Sequence, residues 1–293
     1  AAVLVMRPGT RVFFHRSASM TVAGTLITMG DVEKPVIFAS ERLEQEYKDV
    51  PGYWKGITFL DCSRINVLSS TVVRNAEIAV RLSGSATGKP DILLVEARLM
   101  HNSVASLVAR NADVLAVNSL FAHSGFSTVS LSEGGTYEFI HCTMANRWEY
   151  SFRSEPVMFI GKGQGALPEV SVVNTAITGT LNNELFINAA PSEVTGKFQA
   201  DSSLIKADTM RSSWYVTGLF KKVQTTPSPR YIDESVYDYR PDTLSPLLDN
   251  AGRTEAIRWP RDIRNKPRPT GAGSDIGAYE RQPGEKKASD DRK

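Results

Sequence analysis

LVEARLMHN, residues 94–102, has an outline that returns four more times along this chain. An apolar residue is followed, after three intervening positions, by a small or polar one, then by an apolar pair and a polar turn. VLSSTVVRN (67–75), LAVNSLFAH (115–123) and FIHCTMANR (139–147) repeat it, and VVNTAITGT (172–180) repeats it shifted by one. With Thr71, Arg98, Ser119, Thr143 and Thr175 taken as equivalent, the spacings are 27, 21, 24 and 32 residues. A period of about 20–30 residues holding short strands and no helix points to a β-solenoid. A five-residue strand cannot bury its apolar face alone. Stacked on its counterpart in the next coil it does so, and its backbone groups join a continuous parallel ladder. The L-x-x-L-x-L signature of leucine-rich repeats is missing, and a β-sandwich would show cleaner alternation and tight hairpin dipeptides. The chain therefore reads as all-β: a right-handed parallel β-helix with Val67, Leu94, Leu115 and Phe139 stacked inside. Asn75 and Asn102 fall at matching turns, where Asn tolerates left-handed dihedrals.

The opening stretch, through VIFAS at 36–40, reads as the first coils, and ERLEQEYKDVPGYWKG (41–56) as a polar insertion between coils. Residues 205–245 carry a weaker strand signal, with TTPSPR (225–230) as a loop. The charges, 34 Lys+Arg against 32 Asp+Glu, leave a net +2, so no field draws nucleic acid or anionic lipid. No run of about 18 apolar residues marks a transmembrane segment. The start, AAVLVMRPGT, has no initiator Met and reads as a mature or truncated start. Cys62 and Cys142 match no metal-ligand spacing and read as small apolar core residues. No cofactor and no metal site is indicated.

PGTRVFFH, KPVIF, PGYWKGITF and the ending LSPLLDNAG…RDIRNKPRPTGAGSDIGAYE carry a family resemblance. Over about residues 3–281 the chain resembles the right-handed parallel β-helix proteins of Bacteroidota whose C-terminal module is called choice-of-anchor Q. Ser245, Pro246, Asp249 and Gly252 match the first piece of that module, with one inserted residue. Asp262 and Arg268 match the second, where Asn265 replaces the usual Gly, and Asp275 to Glu280 match the third. The resemblance implies an exported, cell-surface or outer-membrane-associated protein, and no established activity. It divides the chain into a β-helix over 1–245, a C-terminal module over 246–281 and a charged, disordered tail over 282–293. The module is expected to cap the open end of the last coil, with Asp249, Asp262, Arg268 and Asp275 interconnected and Tyr279 packed on apolar surface.

Many β-helix proteins act on polysaccharides, so the candidate chemistry is weighed against that class. Hydrolases need two carboxylates about 5–9.5 Å apart, and the aspartate pairs and acidic clusters of β-helix pectin enzymes are missing here. His101 and His123 fall at equivalent turns near Glu96 and Arg98, and read as surface residues at a coil corner. Arg42, Tyr47, Tyr53 and Trp54 cluster in the 41–56 insertion, and Trp148, Tyr150 and Arg153 in NRWEYSFRSE (146–155). Aromatic faces stack on sugar rings while Arg and Glu bind hydroxyls. Both clusters point to a non-catalytic module that holds an extended polysaccharide or a protein partner at the cell envelope. A polysaccharide lyase or glycoside hydrolase is the alternative.

Overall fold

The computed structural model describes residues 2–84, 91–208, 212–225 and 228–285. Within them the chain winds a parallel β-solenoid of about eight turns. Each turn contributes one strand to each of three sheets. Sheet A has nine strands running from Val3–Met6 to Phe220–Lys221, sheet B eight from Arg11–Phe14 to Leu204–Ile205, and sheet C seven from Ser19–Val22 to Leu185–Asn188.

Pairing register decides what lies inside. In sheet A, Leu68, Leu94, Ala116, Phe139 and Val172 are in register and fully buried. Val67 and Leu115, expected inside, lie on the adjacent outward-facing row with Leu93. Side chains alternate faces along a strand, so a register error of one residue turns them outward. The same slip affects the polar column. Thr143 and Arg98 both pair with Leu120, one position beyond Ser119. The true equivalents of Thr71, Ser119 and Thr175 are Ala97 and Cys142, whose amides bond to the hydroxyls of Ser119 (3.1 Å) and Thr175 (3.1 Å) in the next coil. Cys142 is buried, its thiol pushed up to about 12 by burial. Cys62, by contrast, is exposed on a turn, where neighbouring strand-like residues hid its position.

The bend from sheet A to sheet B needs one left-handed residue per coil. Ser70, Glu96, Asn118, His141, Asn174 and Ser202 all take positive φ there. Each of their amides donates to the last carbonyl of the next sheet A strand, from Val95 for Ser70 to Lys221 for Ser202. Asn75, His101 and His123 form a second such column between sheets B and C. Asn102 lies one residue beyond this column, where its side chain bonds Ser106 (3.3 Å).

The C-terminal segment lies along the side of the solenoid, a correction to its expected place over the last coil. That end is closed instead by Trp214 and Tyr215, packed on Phe220 with ring centroids 6.1 and 4.9 Å away. The outward face of sheet B is apolar over its later coils, and an antiparallel hairpin of Tyr231–Asp233 and Asp238–Pro241 covers it together with residues 246–281. Leu120, Ala122, Ala145, Ala176 and Leu204 there form a second core with Tyr231, Tyr239, Leu247, Ile263, Ile276 and Ala278. The segment reads the left-handed column directly. Asn118 donates to the Arg261 carbonyl (2.9 Å), Asn174 to that of Gly252 (2.9 Å), and the Gly277 amide to the Asn174 carbonyl (2.8 Å). Gly277, at φ +103°, must be glycine: a Cβ would come within 2.8 Å of the Thr143 hydroxyl.

Buried carboxylates organise this layer. Asp262 accepts the amides of Arg264 (2.8 Å), Lys266 (2.8 Å) and Glu280 (3.1 Å), and Asp275 those of Asp249 (2.9 Å) and Arg281 (2.7 Å). Glu280 accepts from Thr270 (3.0 Å), Asp275 (2.9 Å) and the Arg268 guanidinium (3.3 Å). Arg268 also donates to the carbonyls of Asp275 (3.1 Å) and Gly277 (2.9 Å). Asp249 is exposed, with its carboxylate on the Gly273 amide (2.8 Å), and Tyr279 is half-buried with Arg264 above its ring. The tail expectation for 282–293 changes at its start, because Glu285 pairs with Arg240 (3.2 Å) and Arg264. Residues 286–293 lie outside the described residues. Removing Arg268 strands a buried carboxylate, but burial beside Asp275 already pushes Glu280 up to about 7, so it can take a proton instead. Arg268→Ala should therefore cost about 2–4 kcal/mol in chemical denaturation; an unshifted midpoint would show that the network is dispensable.

Candidate functional site

The left-handed column between sheets B and C is where both aromatic loops meet. Asn75 donates its amide to the carbonyls of Lys48 (3.0 Å) and Val50 (2.8 Å), which pins the 41–56 insertion to the corner. That brings Asp49 within 3.3 Å of His101 Nε2. One coil on, His101 Nδ1 meets His123 Nδ1 at 2.7 Å. The 146–155 loop then lays Trp148 and Tyr150 against His123, at centroid distances of 5.1 and 5.8 Å. From the C-terminal side layer the hairpin supplies Tyr237, edge-on to His101 at 4.5 Å and 4.8 Å from His123. Three segments far apart in sequence thus build one cluster over two stacked histidines.

The residues are held for different reasons. His101 and His123, read as surface groups, are 2% and 0% exposed, because the loops and the hairpin roof their corner. The 146–155 loop is anchored by Arg153, buried and paired with Glu184, whose carboxylate also accepts the amides of Val157 (3.1 Å) and Leu181 (2.7 Å). Outward from the histidines the loop exposes aromatic rings beside the Arg147–Glu149 pair: Tyr150 is 56% exposed, and Phe152 90%. Trp148 and Tyr150 pack at a tilt, with ring centroids 5.1 Å apart.

Trp54 does not belong to this surface. It is fully buried, its ring parallel to Phe14 at 3.9 Å and its indole N–H on the Arg74 carbonyl (2.8 Å). The insertion returns to the solenoid at this point, and the large apolar ring fills the first coils. Trp54 is therefore withdrawn as a ligand contact. Arg42 is spent within its own loop, over the Tyr47 ring at 3.8 Å and paired with Glu44 (3.1 Å), and Tyr53 donates to Glu41 (3.1 Å). Of the proposed binding residues, the structure brings Trp148 and Tyr150 together. It adds His101, His123, Asp49 and Tyr237, of which sequence spacing had marked only the two histidines.

Burial sets the electrostatics. It drives His101 down to about 2, with the neighbouring His123 adding to the effect, and His123 down to about 4. Tyr237 is raised to about 12 by burial first and then by the Asp49 charge. Both imidazoles are thus neutral at pH 7, and the tyrosines keep their protons. Among the described residues no cluster of three His, Cys, Asp or Glu side chains is placed to hold a metal ion. A second concavity, about 400 Å³ on the outer face of sheet A, is lined by Glu138, Glu169, Lys197 and Asp201. Its charges neutralise one another, as in Lys197–Glu169 (2.6 Å), and its aromatics Tyr137 and Phe198 face the core. The histidine cluster is the more specific site. No family model, no curated protein and no solved structure matches this chain, so the site is interpreted from its own geometry.

A histidine held neutral in the fold binds fewer protons than in the unfolded chain. Its effect on stability is absent above 6.5 and grows unfavourable as pH falls toward its folded value. His123 should therefore make wild type lose roughly 2–4 kcal/mol relative to His123→Phe between pH 7 and 4, at about 1.4 kcal/mol per unit. Denaturation of both proteins across that range checks this, and parallel stability curves would contradict it.

Proposed function

We propose that this protein is an exported β-solenoid of the cell envelope that holds an extended glycan, without cleaving it, on the Trp148–Tyr150–Tyr237 surface. The observation that carries this is the grouping of exposed Tyr150 with half-buried Trp148 and Tyr237 around the buried histidine nitrogens, an arrangement suited to a sugar's apolar ring face and its hydroxyl rim. The envelope setting follows from the likeness of the C-terminal segment to choice-of-anchor Q modules of Bacteroidota, and a subunit role in an outer-membrane assembly fits it. No helix among the described residues is long and apolar enough to cross a membrane. A polysaccharide lyase or glycoside hydrolase is the second reading, favoured by the Asp49–His101–His123 chain, which would position a base.

Stacking contributes about 0.5–1.5 kcal/mol per ring beyond burial. Trp148→Ala should therefore weaken glycan binding several-fold while the melting temperature stays within a few degrees. Trp54→Ala should instead destabilise the fold by about 3–5 kcal/mol, as loss of a large core ring does. Undiminished binding by Trp148→Ala would move the site elsewhere. Steady release of unsaturated or reducing sugars would establish the enzyme.

A further inference from the structure

Resting on the reading that this surface holds a glycan, we propose that His123 Nε2 accepts a hydrogen bond from a hydroxyl of a neutral sugar, and that Asp49 positions it through His101. The hydrogen bonds fix the protons. Two neutral imidazoles meeting Nδ1 to Nδ1 at 2.7 Å must share one proton between those atoms. The Asp49 carboxylate lies 3.3 Å from His101 Nε2, so a proton on that nitrogen is favoured by the facing anion. His101 Nδ1 is then bare and accepts, and His123 Nδ1 is the donor. His123 Nε2 is left with a lone pair.

That nitrogen is buried and has no hydrogen-bond partner. An unmet buried acceptor is unfavourable, and the loss is recovered when a ligand brings a donor. Trp148, Tyr150 and Tyr237 surround the ring, so the donor must arrive with a face that stacks on aromatics. A sugar offers both, an apolar C–H face and hydroxyls at its rim. The charges acting on Tyr237 include the carboxylates of Asp49 and Glu149, and the nearby Arg147 is engaged by Glu149 at 2.9 Å. Lys48 and Arg74 act on His101 as well, so the charges around the cluster are mixed, and a neutral glycan can be held through its ring face and hydroxyls alone. Because Nε2 is closed off from solvent, one of the rings packed around His123 must turn aside to admit the hydroxyl.

Purified protein would be screened against neutral oligosaccharides (β-glucan, mannan and galactan fragments) and against alginate and polygalacturonate fragments. Affinities of wild type, Trp148→Ala, His123→Phe and Asp49→Asn would then be measured on the best neutral probe. Neutral probes should bind, because the stacking and the hydroxyl contact need no charge on the ligand. His123→Phe should lose roughly tenfold in affinity, about the worth of one hydrogen bond, and Asp49→Asn less. Nitrogen-15 NMR of the wild-type histidines gives a readout that needs no variant to fold. It should find His123 protonated on Nδ1 and bare on Nε2, the Nε2 resonance should move on adding sugar, and Asp49→Asn should disturb this tautomer. A protonated Nε2 in the free protein, a resonance unmoved by bound sugar, or binding confined to uronates would overturn the proposal. If Trp148→Ala loses binding while His123→Phe binds as wild type does, the hydroxyl contact is wrong and the aromatic site stands. If no glycan binds at all, the glycan reading itself fails.

Discussion

The structure depends on one recurring bend, the left-handed residue that closes sheet A and opens sheet B in each coil from Ser70 to Ser202. Left-handed backbone is unfavourable for most residues, and it is kept here because each bend amide is bonded to the coil that follows. The column does more than turn the chain. Asn118, His141 and Asn174 present polar edges at a regular spacing, and the C-terminal segment lies down along them. Small outward residues on three successive sheet B strands, Ala122, Ala145 and Ala176, allow its backbone to come close. The side layer is therefore set by the same register that builds the core.

This arrangement gives the C-terminal segment a consequence beyond stability. Lying along sheet B, it delivers Tyr237 to the adjoining corner, where the second left-handed column presents His101 and His123. A segment seated over the last coil would leave those histidines under two loops only. The 41–56 insertion and the 146–155 loop belong to coils far apart in sequence, yet stacking sets their attachment points on one corner.

The architecture was legible because stacking leaves a periodic trace: LVEARLMHN and its four counterparts each run from a sheet A strand through the bend into a sheet B strand. Register was not legible to the residue. Outward positions such as Val67, Leu93 and Leu115 are as apolar as inward Leu68 and Leu94, so hydrophobicity alone could not choose between them. The burial of Asp262, Arg268 and Asp275 followed the expected interconnection, but their location did not, because the apolar outer face of sheet B looks in sequence like more core. Trp54 was misread because a core tryptophan ends a polar insertion. Tyr237 and Asp49 left no signal, since each acquires meaning only through what the fold sets beside it.

Hydrogen exchange with and without a bound oligosaccharide tests most directly whether these segments form one site. The geometry predicts that added protection falls together on residues 46–50, 146–152 and 235–239, with the sheet A groove around Glu169 and Lys197 unchanged. Protection confined to one of these segments, or gathered on that groove, would contradict a single site built by three converging parts of the chain.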